Sequence, residues 1–156
     1  MYLYFFDLDD TICNTAAVMK QLGNKYNIKR EDFQSQEDYF KVIDVKLMEY
    51  GLDNINPLEN STVALLQQLM KTNSQDIFYI TARESSVRDV STAWLKKHNL
   101  WLGEEKLIMD TKDIKGKTIN NIMNNSDKKF ALFFDDLVEN HKEASFYKEI
   151  ICCYPY

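Results

Sequence analysis

The feature that most constrains the fold is a run of bulky residues, Tyr2 to Phe6, that ends abruptly in an acidic segment, Asp7-Leu8-Asp9-Asp10-Thr11. Five consecutive aromatic and aliphatic residues, with no polar positions at helical spacing, predict a strand buried on both faces in the middle of a parallel sheet. The acids then fall at the carboxyl end of the strand, where open α/β sheets bind their ligands. Asp7 and Asp9 are two residues apart, and carboxylates this close repel each other. They therefore favour the binding of a divalent cation. An alternative is that the acidic segment caps the next helix.

The size and composition of the chain, 156 residues of which 45% are hydrophobic, fit one globular domain with a small insertion. No segment approaches the roughly 18 apolar residues of a membrane span, and no basic stretch leads into a cleavable apolar segment. We therefore expect a soluble, cytoplasmic protein that has no membrane partner. The net charge of −5 argues against binding of extended nucleic acid. Small anionic substrates are still compatible with this charge if a metal ion and nearby cationic side chains offset the negative charge at the site.

The cysteine content gives no sign of a disulfide framework or a metal site. Cys13 and the adjacent Cys152 and Cys153 make an odd number without the spacing of metal ligands. Reduced, mostly buried thiols are expected.

Residues 13–57 have helical rather than strand character and are expected to form a small cap. Apolar residues recur at helical spacing in two stretches, one around Leu22 and one around Leu47, and Gly51 follows the second as a C-cap. One crossover between parallel strands rarely needs about sixty residues, so an insertion that folds over the acidic strand end is favoured over ordinary crossover helices. The expected division is a catalytic core of residues 1–12 and 58–156 with a helical cap of residues 13–57.

Beyond the cap, the sequence alternates between helical and strand patterns. Strands are expected at residues 77–81, 106–109, 130–134 and 150–154, and helices at 58–69, 85–98, after Lys115 and at 138–146. Ser85 and Ser86 are suitable N-caps for the second of these helices. This alternation predicts an α/β fold, a doubly wound, Rossmann-like parallel sheet with right-handed crossovers.

In such a sheet, strand ends from distant parts of the chain meet at one edge. Asp7, Asp9, Thr81 and Asp135 all follow predicted strands, and Lys115 precedes a predicted helix. Together they supply metal-binding carboxylates and a nucleophile or base. They also supply a hydroxyl group, from Thr81, and a cation, from Lys115, that could bind one phosphate group. Phosphoryl transfer requires this inventory, because its catalysis rests on an in-line nucleophile and neutralisation of the phosphoryl oxygens.

Three segments that carry these residues match known motifs in the same order along the chain. They are Asp7-Leu8-Asp9-Asp10-Thr11, Tyr79-Ile80-Thr81-Ala82-Arg83 and Phe133-Phe134-Asp135-Asp136. They resemble the first, second and fourth motifs of phosphatases of the haloacid dehalogenase (HAD) superfamily. The third motif is a lone lysine: Lys115-Gly116-x-x-Ile119 is similar to the pattern of phosphoserine phosphatases, and Lys117 is the alternative. The resemblance extends from residue 2 to about residue 154, and the insertion resembles the small helical cap called C1.

This resemblance implies an Mg²⁺-dependent phosphatase that works through an aspartyl-phosphate. Asp7 would attack phosphorus, while Asp9 would protonate the leaving oxygen and later activate water. Mg²⁺ would be held by Asp7, the backbone carbonyl of Asp9 and Asp135, with Asp136 next to them. The residues that would bind the phosphoryl group are Thr81, Ala82 and Lys115, and Arg83 would contact the substrate.

The expected substrate is a nucleotide or another small phosphorylated metabolite. The segment from Thr81 through the helix that ends at His98 is similar to small nucleotidases and to the phosphatase domain of bacteriophage polynucleotide kinases. Two alternatives follow, a phosphatase for nucleic-acid 3′ ends and an inactive family member that binds a phosphorylated partner. Cap aromatics would either stack on a base or form the core of the cap itself; they are Tyr26, Phe33, Tyr39 and Phe40. The sequence does not fix the oligomeric state.

Overall fold

A computed structural model describes residues 2–156 and places a five-stranded, all-parallel sheet at the centre of the protein. The strands are β1 (Tyr2–Phe6), β2 (Ile77–Ile80), β3 (Leu107–Ile108), β4 (Phe130–Phe134) and β5 (Ile150–Cys153). Their order across the sheet is β3-β2-β1-β4-β5, which puts β1 in the middle. Phe5 and Phe6 of β1 are fully buried, as the aromatic run predicts. The fold is the predicted doubly wound, Rossmann-like α/β fold.

Six α-helices connect and cover the strands. They are α1 (Thr15–Tyr26), α2 (Gln36–Tyr50), α3 (Ser61–Thr72), α4 (Arg88–Lys97), α5 (Lys115–Asn124) and α6 (Val138–Ala144). The chain builds the sheet outward from β1 through β2 to β3, and then crosses to the other side for β4 and β5. The reversal lies between β1 and β4, and folds of this kind bind ligands at such a point.

The predicted helices and strands are present, with bounds that differ by a few residues. The helix expected from Leu58 begins at Ser61, because the Asn60 side chain accepts a hydrogen bond from the backbone N–H of Val63 at 2.9 Å and so caps it. The prediction that Ser85 and Ser86 cap α4 is wrong. Ser85 begins a short 3₁₀ turn instead and donates its hydroxyl to the Asp110 carboxylate, so α4 starts three residues later.

The register of the central strands sets the positions of the acidic residues. Phe6 pairs with Phe134, and the backbone N–H of Asp7 donates to the Phe134 carbonyl at 2.9 Å. Asp7 and Asp135 therefore leave β1 and β4 side by side. On the other flank Phe6 pairs with Tyr79, which brings the end of β2 and Thr81 to the same edge of the sheet.

Helices α1 and α2 pack onto the sheet domain through a shared apolar cluster. Leu22 of α1 and Leu47 of α2 are buried in the same cluster as Phe6 and Leu8. The segment predicted to form the cap thus rests on the core without a separate hydrophobic interior. The division at residues 12 and 58 stays a prediction.

Across residues 2–156, no helix has the combination of length and apolar character that crossing a membrane requires. All three cysteines are free, and Cys13 is buried. Cys152 and Cys153 lie on the edge strand β5 and are half-buried, so the expectation of mostly buried thiols holds for one cysteine of three.

Candidate active site

A lysine and two aspartates form a buried cluster at the sheet edge between β1 and β4. Lys115 Nζ lies 2.8 Å from Asp7 Oδ1 and 2.7 Å from Asp135 Oδ2. The three residues are all buried, so each charge depends on the others for compensation. Of the two lysines that the sequence offered for the third motif, Lys115 occupies this position, whereas Lys117 is exposed.

The start of α5 holds Lys115 in place. Glu143 of α6 accepts hydrogen bonds from the backbone N–H groups of Gly116 and Lys117, and a carboxylate at a helix N-terminus is favoured by the helix dipole. A Cβ on Gly116 would lie 2.5 Å from the Cα of Ala144, so glycine is required for the close approach of α5 to α6. Glu143 could not be predicted from the sequence, because it binds across a helix pair and lies outside the motifs.

Asp135 has a second set of partners that the sequence did not predict. Asn140 donates its amide to Asp135 Oδ1 at 2.9 Å and to Oδ2 at 3.0 Å, and the backbone N–H of Leu137 donates to Oδ1 at 2.9 Å. These bonds and the one from Lys115 fix the orientation of a carboxylate that is fully buried.

Asp7 and Asp136 are in environments that disfavour their charged forms. Burial raises the pKa of Asp7 to about 8; the charge of Lys115 opposes the rise, and the charges of Asp135 and Asp9 add to it. Burial, with the charges of Asp135 and Asp10, likewise raises the pKa of Asp136 to about 6. One lysine therefore does not compensate the negative charge at this edge.

A divalent cation suits these residues. Asp7, Asp135 and Asp136 each present a carboxylate oxygen, and the three atoms lie within 4.8 Å of one another. Carboxylate oxygens are the protein ligands that Mg²⁺ takes, and a cation beside them favours their ionised forms. Asp7, Asp135 and Asp136 are three of the four residues predicted to hold the metal, and the fourth, Asp9, was predicted to contribute its backbone carbonyl. The side chain of the fourth, Asp9, points to a different partner.

That partner is Arg83, which donates two hydrogen bonds to the Asp9 carboxylate. Arg83 Nε donates to Asp9 Oδ2 at 2.8 Å and Nη2 donates to Oδ1 at 2.6 Å, while Thr15 Oγ1 donates to Oδ1 at 2.5 Å. Burial acts to raise the pKa of Asp9, but the hydrogen bonds and charge of Arg83 outweigh it and lower the pKa overall. Ser91 of α4 accepts a further bond from Arg83 Nη1 at 3.0 Å. Neither Thr15 nor Ser91 was predicted, since both lie on helices outside the motifs.

Thr81, the hydroxyl predicted to bind phosphate, is buried at the end of β2. Its Oγ1 accepts a hydrogen bond from the backbone N–H of Arg83 at 3.2 Å, which curls the chain around Ala82. Its carbonyl accepts from Thr111 Oγ1 at 2.8 Å, so the loop after β3 supports the loop after β2. Thr81 thus lies at the same sheet edge as Asp7.

A cleft of about 470 Å³ opens above Asp9, between the helices of residues 13–57 and the loop after β2. Helices α1 and α2 contribute Thr15, Asp44 and Met48 to its lining, and the loop after β2 contributes Arg83 and Glu84. The cap aromatics do not line it. Phe33 and Phe40 each pack against Tyr39, with ring centroids 5.8 Å and 5.5 Å away, and Tyr26 is exposed. Three of the four aromatics thus pack on one another outside the cleft, and Tyr26 and Phe40 are exposed.

The doubly wound α/β fold of this protein is similar to that of solved HAD-like hydrolases. No family model matches the chain. Two solved structures superpose on 98% of it, each with a TM-score of 0.58. One is described as a haloacid dehalogenase-like hydrolase from Burkholderia xenovorans LB400, with 12% identity and 81% of that chain covered. The other is described as the HAD-hydrolase YfnB from Bacillus subtilis bound to magnesium, with 14% identity and 87% of that chain covered. At these identities the similarity is one of fold.

Proposed function

We propose that this protein is an Mg²⁺-dependent phosphomonoester hydrolase of the HAD type, which forms an aspartyl-phosphate on Asp7 and acts on a nucleotide or another small phosphorylated metabolite. The observation that carries the proposal is the cluster of Asp7, Lys115, Asp135 and Asp136 at the sheet edge where the fold reverses direction. The fold shared with HAD-like hydrolases supports it. It is further supported by Asp9, a second carboxylate two residues from the nucleophile and at the floor of a cleft.

In the first step, a carboxylate oxygen of Asp7 attacks phosphorus and the bond from phosphorus to the ester oxygen breaks. The departing oxygen takes a proton from Asp9. Asp9 is paired with Arg83, which favours its anion, but the negative charge of an arriving phosphate favours the protonated form.

In the second step, water attacks phosphorus, the bond from phosphorus to the Asp7 oxygen breaks, and inorganic phosphate leaves as the Asp7 carboxylate is regenerated. Asp9, now ionised after giving up its proton, accepts a proton from that water. In the proposal, Arg83 and Thr15 hold the Asp9 carboxylate, which lines the cleft, in one orientation for both steps. In the proposal Arg83 therefore positions Asp9, besides its predicted contact with the substrate.

The phosphoryl oxygens are neutralised by groups at the sheet edge. Thr81, the backbone N–H of Ala82 and the Lys115 ammonium group are the proposed donors. Magnesium would be held by Asp7, Asp135 and Asp136, with the predicted contribution of the Asp9 carbonyl. When bound, it would supply further positive charge for the phosphoryl group and for the carboxylates.

The test is hydrolysis of a phosphomonoester panel that contains an aryl phosphate, mononucleotides and 3′-phosphorylated oligonucleotides, measured with magnesium and with chelator. We expect hydrolysis of the aryl phosphate and of at least one small substrate, complete loss of activity in chelator and recovery on addition of magnesium. Full activity in chelator would refute the metal site. Binding of phosphorylated ligands without any turnover would favour the inactive alternative.

A further inference from the structure

The cleft above Asp9 has an uneven distribution of charge. Asp9 is neutralised by Arg83, and the Asp10 side chain accepts a hydrogen bond from the backbone N–H of Ala16 at 2.7 Å. Asp44 and Glu84 also line the cleft, and no lysine, arginine or histidine of residues 2–156 lies within 4 Å of either carboxylate. A substrate in the cleft therefore meets three carboxylates beyond Asp9 that have no cation of residues 2–156 within 4 Å, namely Asp10, Asp44 and Glu84.

Asp44 and Glu84 come from different parts of the fold. Asp44 belongs to α2, and Glu84 belongs to the loop that follows β2. Burial and the charge of Asp9 raise the pKa of Asp44, which indicates that its anion lacks a cation nearby. A positively charged group of a substrate in the cleft would be attracted by both carboxylates.

The rest of the lining is mostly apolar. The apolar side chains that line the cleft are Met19, Leu47, Met48, Leu52 and Val87. They suit a short hydrocarbon stem and offer no partner to an anion. The cleft volume of about 470 Å³ is in the range of small-molecule sites.

We infer that Asp44 and Glu84 determine specificity, and that they select a phosphomonoester whose alcohol half carries an amine cation on a short apolar stem. This inference rests on the proposed function, because it assigns the leaving-group side of the same site. An alcohol half with a second anionic group is repelled by both carboxylates. Nucleic-acid 3′ ends belong to that disfavoured class, since further phosphates flank the ester.

The test uses three monoesters of similar size that differ in the charge of the alcohol half: 2-aminoethyl phosphate, propyl phosphate and phosphoglycolate. The full-length protein is assayed for kcat/KM with magnesium, and an aryl phosphate reports whether the enzyme is active at all. We expect the amine to be the best substrate and the carboxylate to be the worst, with about tenfold discrimination from each carboxylate of the cleft. A 3′-phosphorylated oligonucleotide should be a poorer substrate than the amine.

Two variants assign the discrimination to residues. Asp44→Asn and Glu84→Gln should each reduce the ratio of kcat/KM for the amine over phosphoglycolate by about tenfold. The matched control is Glu49→Gln, which removes a carboxylate from the same helix outside the cleft, where it pairs with Lys46 at 2.8 Å. The control should leave the ratio and the aryl phosphatase activity unchanged.

The outcomes separate this inference from the function on which it rests. Aryl phosphate hydrolysis with equal or reversed preference among the three esters would overturn the inference and leave the proposed function standing. The same holds if the two cleft variants behave like Glu49→Gln. Absence of hydrolysis of every ester, including the aryl phosphate, would overturn both.

Discussion

Two regions of the candidate active site, the sheet edge and the α2 side of the cleft, differ in how their charges are compensated. At the sheet edge, Lys115 contacts both Asp7 and Asp135, and Asn140 donates two more hydrogen bonds to Asp135. On the α2 side of the cleft, Asp44 is exposed and has no cationic partner within residues 2–156, and Met48 is 52% exposed. The side chains at the sheet edge form a buried network and have little conformational freedom. The side chains on the α2 side are exposed, so this side can tolerate substitutions.

From this difference we expect substitutions in the two regions to have different effects. A network in which each buried charge needs its neighbours tolerates substitution poorly, so changes at the edge should affect every substrate and also stability. Exposed residues on α2 contribute little to folding, so changes there should alter the choice of substrate.

The largest effect is expected for Lys115→Met. Methionine keeps much of the length of lysine but removes the charge, so kcat should fall by about 10²–10³-fold with all substrates, including aryl phosphates. Asp7 and Asp135 would be left buried without their cation, so metal-free protein should lose about 3–5 kcal/mol of unfolding free energy. Steady-state kinetics and urea denaturation measure the two effects.

Lys117→Met is the matched control, because Lys117 is exposed and its side chain makes no ion pair within 4 Å in residues 2–156. Its activity and stability should be those of the unaltered protein. Loss of activity in Lys117→Met with retention in Lys115→Met would reverse the assignment of the third-motif lysine.

A smaller effect is expected for Asp136→Asn. Removing one of the three clustered carboxylates should weaken Mg²⁺ binding by about tenfold or more, measured as the magnesium concentration that gives half-maximal activity. The metal-free protein should lose no stability, because repulsion with Asp135 and Asp10 is relieved. A variant with unchanged magnesium dependence would remove Asp136 from the metal site.

Asp135→Asn serves as the comparison, since the same charge is removed from a position with four hydrogen bonds. An amide NH₂ group there would face donors from Lys115 or Asn140, so this variant should lose stability even without metal. Equal stability of the two variants would argue against the network described here.

The smallest effect is expected on the α2 side. Met48 lines the cleft and Val45 does not, although both are on α2 with exposures of 52% and 55%. Met48→Ala should lower kcat/KM for small substrates by about fivefold through lost contact with the leaving group, whereas Val45→Ala should have no effect. Neither should shift the melting temperature by more than a few degrees. Equal kinetic effects in the two variants would mean that α2 does not contact the substrate.

Much of the fold and of the edge cluster was predictable from sequence because strands carry local signals. The aromatic run of β1 and the similar run of β4 predict buried parallel strands, and the acids after each one then meet by topology. Lys115 was also predicted, through the Lys-Gly pattern at the start of a helix. The closeness of Gly116 to Ala144 explains why glycine is needed at that position.

The supporting hydrogen bonds could not be predicted, because they join residues on different elements without a shared pattern. Asn140 reaches Asp135 from α6, and Thr15 reaches Asp9 from α1. Arg83 carries a motif signal, but its pairing with Asp9 depends on the path of the loop after β2. The capping of α4 was mispredicted for a related reason, since Asp110 from a distant loop binds Ser85.

The most direct test of the central claim, nucleophilic attack by Asp7, is mass spectrometry of trapped phosphoenzyme. Asp9→Asn and Asp7→Asn are incubated briefly with an aryl phosphate and magnesium, after circular dichroism has shown that both are folded. An aryl leaving group needs no proton, so Asp9→Asn should form the aspartyl-phosphate and then stall, because the group that activates water is missing. One added phosphoryl group that maps to Asp7 in Asp9→Asn, with none in Asp7→Asn, is the predicted result. An adduct on any other residue, or full turnover by Asp7→Asn, would contradict the account.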